Sequence, residues 1–298
     1  MPLGATRFGF QAGDTEVEVD YLVVAGGGGT RYYYAGGGGA GGLRSTVGNT
    51  GGGGSLETIL TLEKATNYTV TVGGGGASDS NGSDSVFSTI TSIGGGSGAR
   101  DGKDAASGGS GGGAMYQRTT GASGTANQGF AGGNASSQQS HDRVAAGGGG
   151  GAGAAGTASP NQDRGGDGGV GVISNILSST NASTESVGEV VSSDVYYAGG
   201  GGGSIGGNST QSTGIGGTGG GGNGQPATGS AQSGTANTGG GGGGSRGSGT
   251  TGGSGVIILK YPSTKTITVG AGLTSNTYTE GDYKITVFTS GTGNVSWS

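Results

Sequence analysis

The chain has 298 residues, among them 84 glycines, 4 prolines and no cysteine, with a net charge of −5. Without cysteine there is neither a disulfide framework nor a thiolate metal site, and clustered glycines with scarce proline are not the every-third pattern of collagen. The charge has the wrong sign for gripping phosphate backbones and is too weak to keep a chain extended, so nucleic-acid binding and charge-driven disorder are set aside.

The opening MPLGATRFGF lacks the basic and apolar blocks of a secretory signal, and no apolar run is long enough to span a bilayer. Residues 1–16 read as an N-terminal attachment segment. From there the text turns β-prone: Val17, Val19, Tyr21 and Val23 keep a period of two before Ala25 and four glycines. A strand running straight into glycine returns in NYTVTVGGGG, VFSTITSIGGG and SDVYYAGGGGG. LETILTLEKATNYTVTV reads as a hairpin turning at EKATN. GVIILKYP is the continuous apolar run of a strand buried on both faces and stopped by Pro262. Residues 17–262 are expected to form one glycine-rich domain, and 263–298 a C-terminal β-strand segment.

Val, Ile, Leu and Phe together fall below the roughly 20% usual for a globular core, so apolar burial alone does not order this chain. Ordering a glycine costs about 0.5–1 kcal/mol more than ordering an alanine. One good hydrogen bond, about 1 kcal/mol net, offsets each. Extended threefold threads of the polyproline II type, packed side by side, can supply such bonds in several directions because no Cβ holds the backbones apart. The expected fold is mainly irregular and all-β: a small β-strand framework with a packed bundle of left-handed polyglycine II segments.

In sequence order, EVDYLVVAGGGG, GGGGAGGLRS, YTVTVGGGG, NGSDSVFSTITSIGGG, VYYAGGGGGS, SGTANTGGGGGG and GGSGVIILKYP resemble the glycine-rich domain of bacteriophage tail-fibre and tail-associated proteins. The closing YKITVFTSGTGNVSWS is similar to the strand pair with which many of them end. The architecture is similar to polyglycine II sandwich adhesins of some T-even-like phages. The resemblance implies a virion-associated fibre or fibre-tip adhesin, made in the host cytoplasm. It would bind a host cell-surface polysaccharide or outer-membrane protein, contact other tail or fibre proteins, and assemble as a homo-oligomer, a trimer by likeness. The alternative is a purely structural filament or decoration subunit that assembles through glycine-rich packing.

A lattice held by backbone bonds is nearly indifferent to what its connecting loops contain, and a rigid scaffold with permissive loops suits recognition. The polar, glycine-poor intervals 114–120, 134–146, 157–167, 204–214 and 223–233 are the candidate loops. Within them Met115, Tyr116, Arg118, Gln138, Gln139, His141, Arg143 and Arg164 are candidate receptor contacts, joined by Tyr32 and Tyr33 of the tyrosine triplet. Tyr34 precedes AGGGG as Tyr197 does and reads as framework.

No catalytic constellation emerges, so no enzyme, cofactor or membrane insertion is expected. His141 beside Asp142 reads as a solvated loop, since adjacency in sequence does not make a triad. DSNGSDS at 79–85 is oxygen-rich like a calcium loop, but it lacks the closing glutamate of an EF-hand and reads as turn chemistry. DRGGDGGVGV occurs once, whereas calcium-binding β-rolls need stacked repeats. YLVVAGGGG matches a dinucleotide fingerprint only through the abundance of glycine, with no amphipathic helix behind it.

Overall fold

A computed structural model describes residues 15–136, 144–206 and 212–298. Strand β1 spans Glu16–Val24, β2 Leu43–Ser45, β3 Leu60–Glu63, β4 Tyr68–Thr71, β5 Ser85–Phe87, β6 Ile90–Ser92 and β7 Val172–Ile173. After helix α1, Ser179–Glu185, come β8 Glu189–Val191, β9 Asp194–Tyr197, β10 Val256–Pro262, β11 Ile267–Val269, β12 Leu273–Glu280 and β13 Tyr283–Trp297. Among the described residues the fold is all-β apart from α1 and one short 3-10 turn at Gly51–Gly53.

Ten strands form one antiparallel sheet whose main path runs β2-β1-β10-β13-β4-β5-β6. Hydroxyls turn it back on itself: Ser92 Oγ donates to Val23 O at 2.7 Å and Ser85 Oγ to Val24 O at 2.8 Å. The sheet is therefore nearly closed. Its inside holds Val17, Val19, Tyr21, Val23, Ile257, Leu259, Tyr261, Phe288 and Trp297. The alternate residues of the same strands, Leu22, Val24, Val256, Ile258, Ile285 and Val287, face outward. There α1, the segment leading into it and the three-stranded sheet β7-β9-β8 cover them with Ile176, Leu177, Ala182, Val195 and Tyr197. β10 is thus buried on both faces, as its unbroken apolar run requires.

Four elements of the framework hand their chain to glycine. β1 enters the thread 25–29, β4 enters 73–76, the β5–β6 hairpin enters 94–98, and β9 enters 199–203. The thread 35–42 sits at the centre of the bundle, and its bonds repeat every third residue. The amides of Ala35, Gly38 and Gly41 donate to Ser245, Gly242 and Gly239; those of Gly36, Gly39 and Gly42 to Ala99, Gly96 and Ile93; those of Gly37 and Ala40 to Gly147 and Gly150. Its carbonyls accept from three further threads: Gly37 and Ala40 from Gly113 and Ser110, Gly38 and Ala35 from Gly201 and Ser204, Gly39 and Gly42 from Gly28 and Ala25. Six neighbours around one thread, with a three-residue period, is polyglycine II packing. The thread 199–204 repeats the arrangement, donating in turn to 219–222, 166–169 and 35–38.

Two local expectations are corrected, and one helix is added to them. Residues 56–72 do form two strands, but not a hairpin: β3 pairs with β1, while β4 pairs with β13 and β5. The turn between them carries the chain across the sheet opening, with Lys64 N bonded to Thr15 O and Ala65 N to Trp297 O. The closing segment is one strand of fifteen residues rather than a strand pair. It bends at Gly291, whose φ of 100° belongs to glycine, so its first half pairs with β10 and its second with β4 and β11. Helix α1 has no apolar period to announce it. It is fixed by Ser178 at its N-terminus and by Glu280, which accepts from Ser178 Oγ at 2.7 Å and Asn181 Nδ2 at 2.6 Å.

Candidate recognition surface

Threads running back and forth place their turns at two ends. One end merges with the strands, where β1 begins and β13 finishes. At the other end the turns are tied to one another. Thr30 bridges Thr250, Ser78 Oγ donates to Thr30 O, Arg100 holds Asp79, and the rings of Tyr34 and Tyr116 meet at 6.3 Å. Arg246 donates from Nη1 to Gly206 O at 2.7 Å and from Nη2 to Ala227 O at 2.9 Å, and Arg164 bridges Ser212. All five glycine-poor intervals thus send their described parts to this one loop end.

The sequence-based contacts divide there. Tyr32 is exposed at 57%, and its ring lies 5.6 Å from that of Tyr33. Tyr33 meets Tyr34 edge-on at 4.8 Å, and Tyr34 meets Tyr116, so four phenols form one cluster. Tyr116 is half-buried and accepts from Gln117 Nε2 at 2.6 Å. Arg118 is exposed and lies 3.4 Å from Asp104; Arg164 is exposed and pairs with Asp167 at 2.7 Å. Met115 is a correction: it is fully buried beneath the turn it opens and offers no surface. Tyr34 is another, because its thread starts at the loop end; it is half-buried in the phenol cluster, whereas Tyr197 is buried in the framework core. Gln138, Gln139, His141 and Arg143 lie outside the described residues.

Beside the phenols lies a charge cluster that composition alone does not announce. Arg100 clasps Asp79 with both carboxylate oxygens engaged, Nε to Oδ1 and Nη2 to Oδ2, each at 2.9 Å. Lys103 Nζ reaches Oδ1 at 3.3 Å, and Arg31 stands 3.7 Å away on the open side. The Arg100 bonds, with help from Lys103, hold the Asp79 carboxyl below its usual range. Of the oxygens that suggested a calcium loop, those of Asp79 are spent on cations, while Asn81 Oδ1 and Asp84 Oδ1 accept from the amides of Ser97 and Gly94. No group of His, Cys, Asp and Glu suited to a metal occurs among the described residues. The signal within the sequence is ARDGK, whose Asp101-Gly102 pair makes the tight turn (Gly102 φ 73°) that brings Arg100 and Lys103 together.

Arg31, Tyr32, Tyr33, Arg100 and Asp101 line an open cleft of about 530 Å³. Desolvation first, and the neighbouring Tyr116 and Tyr34 next, raise the Tyr33 phenol above its ordinary value; desolvation and Asp101 raise that of Tyr116. Both stay neutral hydrogen-bonding groups at neutral pH. Tyr33 and Tyr34 have φ of 83° and 52°, consecutive bulky residues in the left-handed region. Strain of this kind gathers where a fold over-determines a presented group. Replacing Tyr33 by glycine is expected to leave the fold about 1 kcal/mol more stable than replacing it by alanine. Elsewhere alanine is normally the better of the two. Paired denaturant titrations of the two variants measure the difference, and an alanine variant as stable as the glycine one would remove the strain argument.

Among the described residues no helix is long and apolar enough to cross a membrane. Neither a curated protein nor a solved structure matches the chain. A family model described as a glycine-rich domain matches residues 5–262, and the chain belongs to that glycine-rich domain family.

Proposed function

We propose that the chain is a recognition module: a host-binding adhesin at a bacteriophage tail fibre or fibre tip, displaying loops on a polyglycine lattice. The observation that carries the reading is geometric. The described parts of the glycine-poor intervals reach one end of the bundle, opposite the framework where β1 begins and β13 ends, so one end is left for attachment and the other for contact. The threads bond through backbone atoms, which leaves the loop side chains to be chosen by what they touch. Nothing in this role calls for catalysis, and the partner would be a polysaccharide or protein of a bacterial surface. The phage assignment itself rests on the resemblance of the glycine-and-strand text.

The purified chain, labelled with a fluorophore, is expected to coat susceptible bacteria and to compete with phage adsorption. Exchange of 31–33, 116–119 and 160–164 together for serine-glycine loops should abolish coating while leaving the thermal transition in place, since the buried Met115 and the bonded ends of the threads are kept. Full coating after exchange would sink the reading. Hundreds of copies per particle, in place of a handful, would favour the filament or decoration role.

A further inference from the structure

We infer that the cleft between Arg31 and Tyr33 is a binding subsite for one saccharide unit bearing a carboxylate. The inference rests on the recognition reading above and narrows its ligand class. The cleft joins the two chemistries such a ligand needs. An exposed tyrosine, tilted 51° to its neighbour, presents a ring on which the C–H face of a sugar can lie. Around it stand cations in excess of their partners: Arg31, Arg100 and Lys103 converge on Asp79, and Asp101 supplies one further acid. Asp79 stays ionised, because Arg100 holds its carboxyl low, so among the described residues one positive charge remains unmatched.

Arg31 carries that surplus. Arg100 spends its fork on Asp79 and its Nη1 on Asp101 O, whereas Arg31 is 58% exposed and reaches Asp79 only at 3.7 Å. A guanidinium left with open donors on a cleft wall takes a carboxylate in a paired grip. Asp101, on the same lining, cannot take an anion and instead accepts from sugar hydroxyls. A neutral sugar would leave the surplus charge unanswered. The whole chain is at −5, so a cleft of opposite sign is a local construction and not a reflection of overall charge.

The test uses the full chain, an alginate tetrasaccharide as the uronate probe and maltotetraose as the neutral probe, with binding followed by calorimetry at low and at moderate salt. The alginate probe is expected to bind about tenfold tighter than maltotetraose at low salt, with the gap narrowing as salt screens it. Arg31→Gln should erase the gap while sparing the weak neutral binding. Tyr32→Ala should weaken both probes, and neither change should move the thermal transition, since both side chains are exposed. Equal binding of the two probes, or a gap that survives Arg31→Gln, would overturn the carboxylate assignment. Binding insensitive to both variants would overturn the location. If neither probe binds while the chain still coats bacteria, this subsite falls and the recognition reading stands; if coating fails too, both fall.

Discussion

Gly241→Ala is expected to cost about 3 kcal/mol or more, and Gly241→Val to leave no folded chain, while Gly74→Ala is expected to be neutral or to add about 0.5 kcal/mol. A Cβ on Gly241 would stand 2.0 Å from Gly38 O and 2.9 Å from Gly201 N, where ordinary contact begins near 3.4 Å. Both obstacles are backbone, so no side chain can swing aside. To make room, the thread 239–245 must back away from 35–42 and 199–204. That would stretch Gly241 N to Gly199 O at 2.9 Å and Gly38 N to Gly242 O and Gly244 N to Gly202 O at 2.8 Å, each worth about 1 kcal/mol. Gly74 lies in a similar run on the outside of the bundle, exposed, with nothing within 4 Å of its Cβ direction. Neither glycine has a positive φ, so the pair isolates space from conformation. Urea titrations of the two alanine variants give the answer. Equal sensitivity would mean that the glycines serve flexibility and not packing.

That contrast also marks what the sequence can and cannot say. The strands that run into glycine are legible because a period of two is local, and Val17 to Val23 carry it without help from distant residues. The threads are legible from the glycine runs, since few other packings reward so many absent side chains. Which thread neighbours which is not local. Ala35 meets Ser245 and Gly37 meets Gly147 only because turns elsewhere set the lattice order. The same limit governs the site. Tyr32 is legible as an exposed aromatic in a polar loop, but Asp79 and Arg100 are joined by adjacent threads, and their pairing leaves no trace in either loop's text. Met115 shows the converse error: a thioether in a polar loop reads as a contact, yet a turn whose first residue caps a packed thread buries it. The strands of 56–72 were legible as strands and not as partners, because β1 and β13 outcompete the local hairpin with ladders on a larger sheet.

Trp297→Ala is expected to cost about 3–5 kcal/mol, and a chain ending at Pro262 to fail to fold, although the family match itself stops at residue 262. Trp297 is the largest buried side chain, 1% exposed, with Tyr261, Tyr68 and Phe87 ring centroids at 5.8, 6.2 and 6.5 Å. It plugs the mouth of the nearly closed sheet. Its Nε1 has no hydrogen-bond partner among the described residues, so Trp297→Phe removes an unsatisfied donor along with some contact and should cost less than about 1.5 kcal/mol. Removing 263–298 takes away more than this plug. β13 lies between β10 and β4, and without it Ile258 and Leu259 lose one ladder partner each, while Ile285, Val287 and Phe288 leave both core clusters. The threads depend on that sheet for their register: β1 sets thread 25–29, and β10 receives the chain from 250–255. A shortened chain should therefore lose protection of the glycine amides in hydrogen exchange, not only of the strands. If the glycine amides of a chain ending at Pro262 stayed protected, the lattice would be self-sufficient and the strands would serve only as its handle.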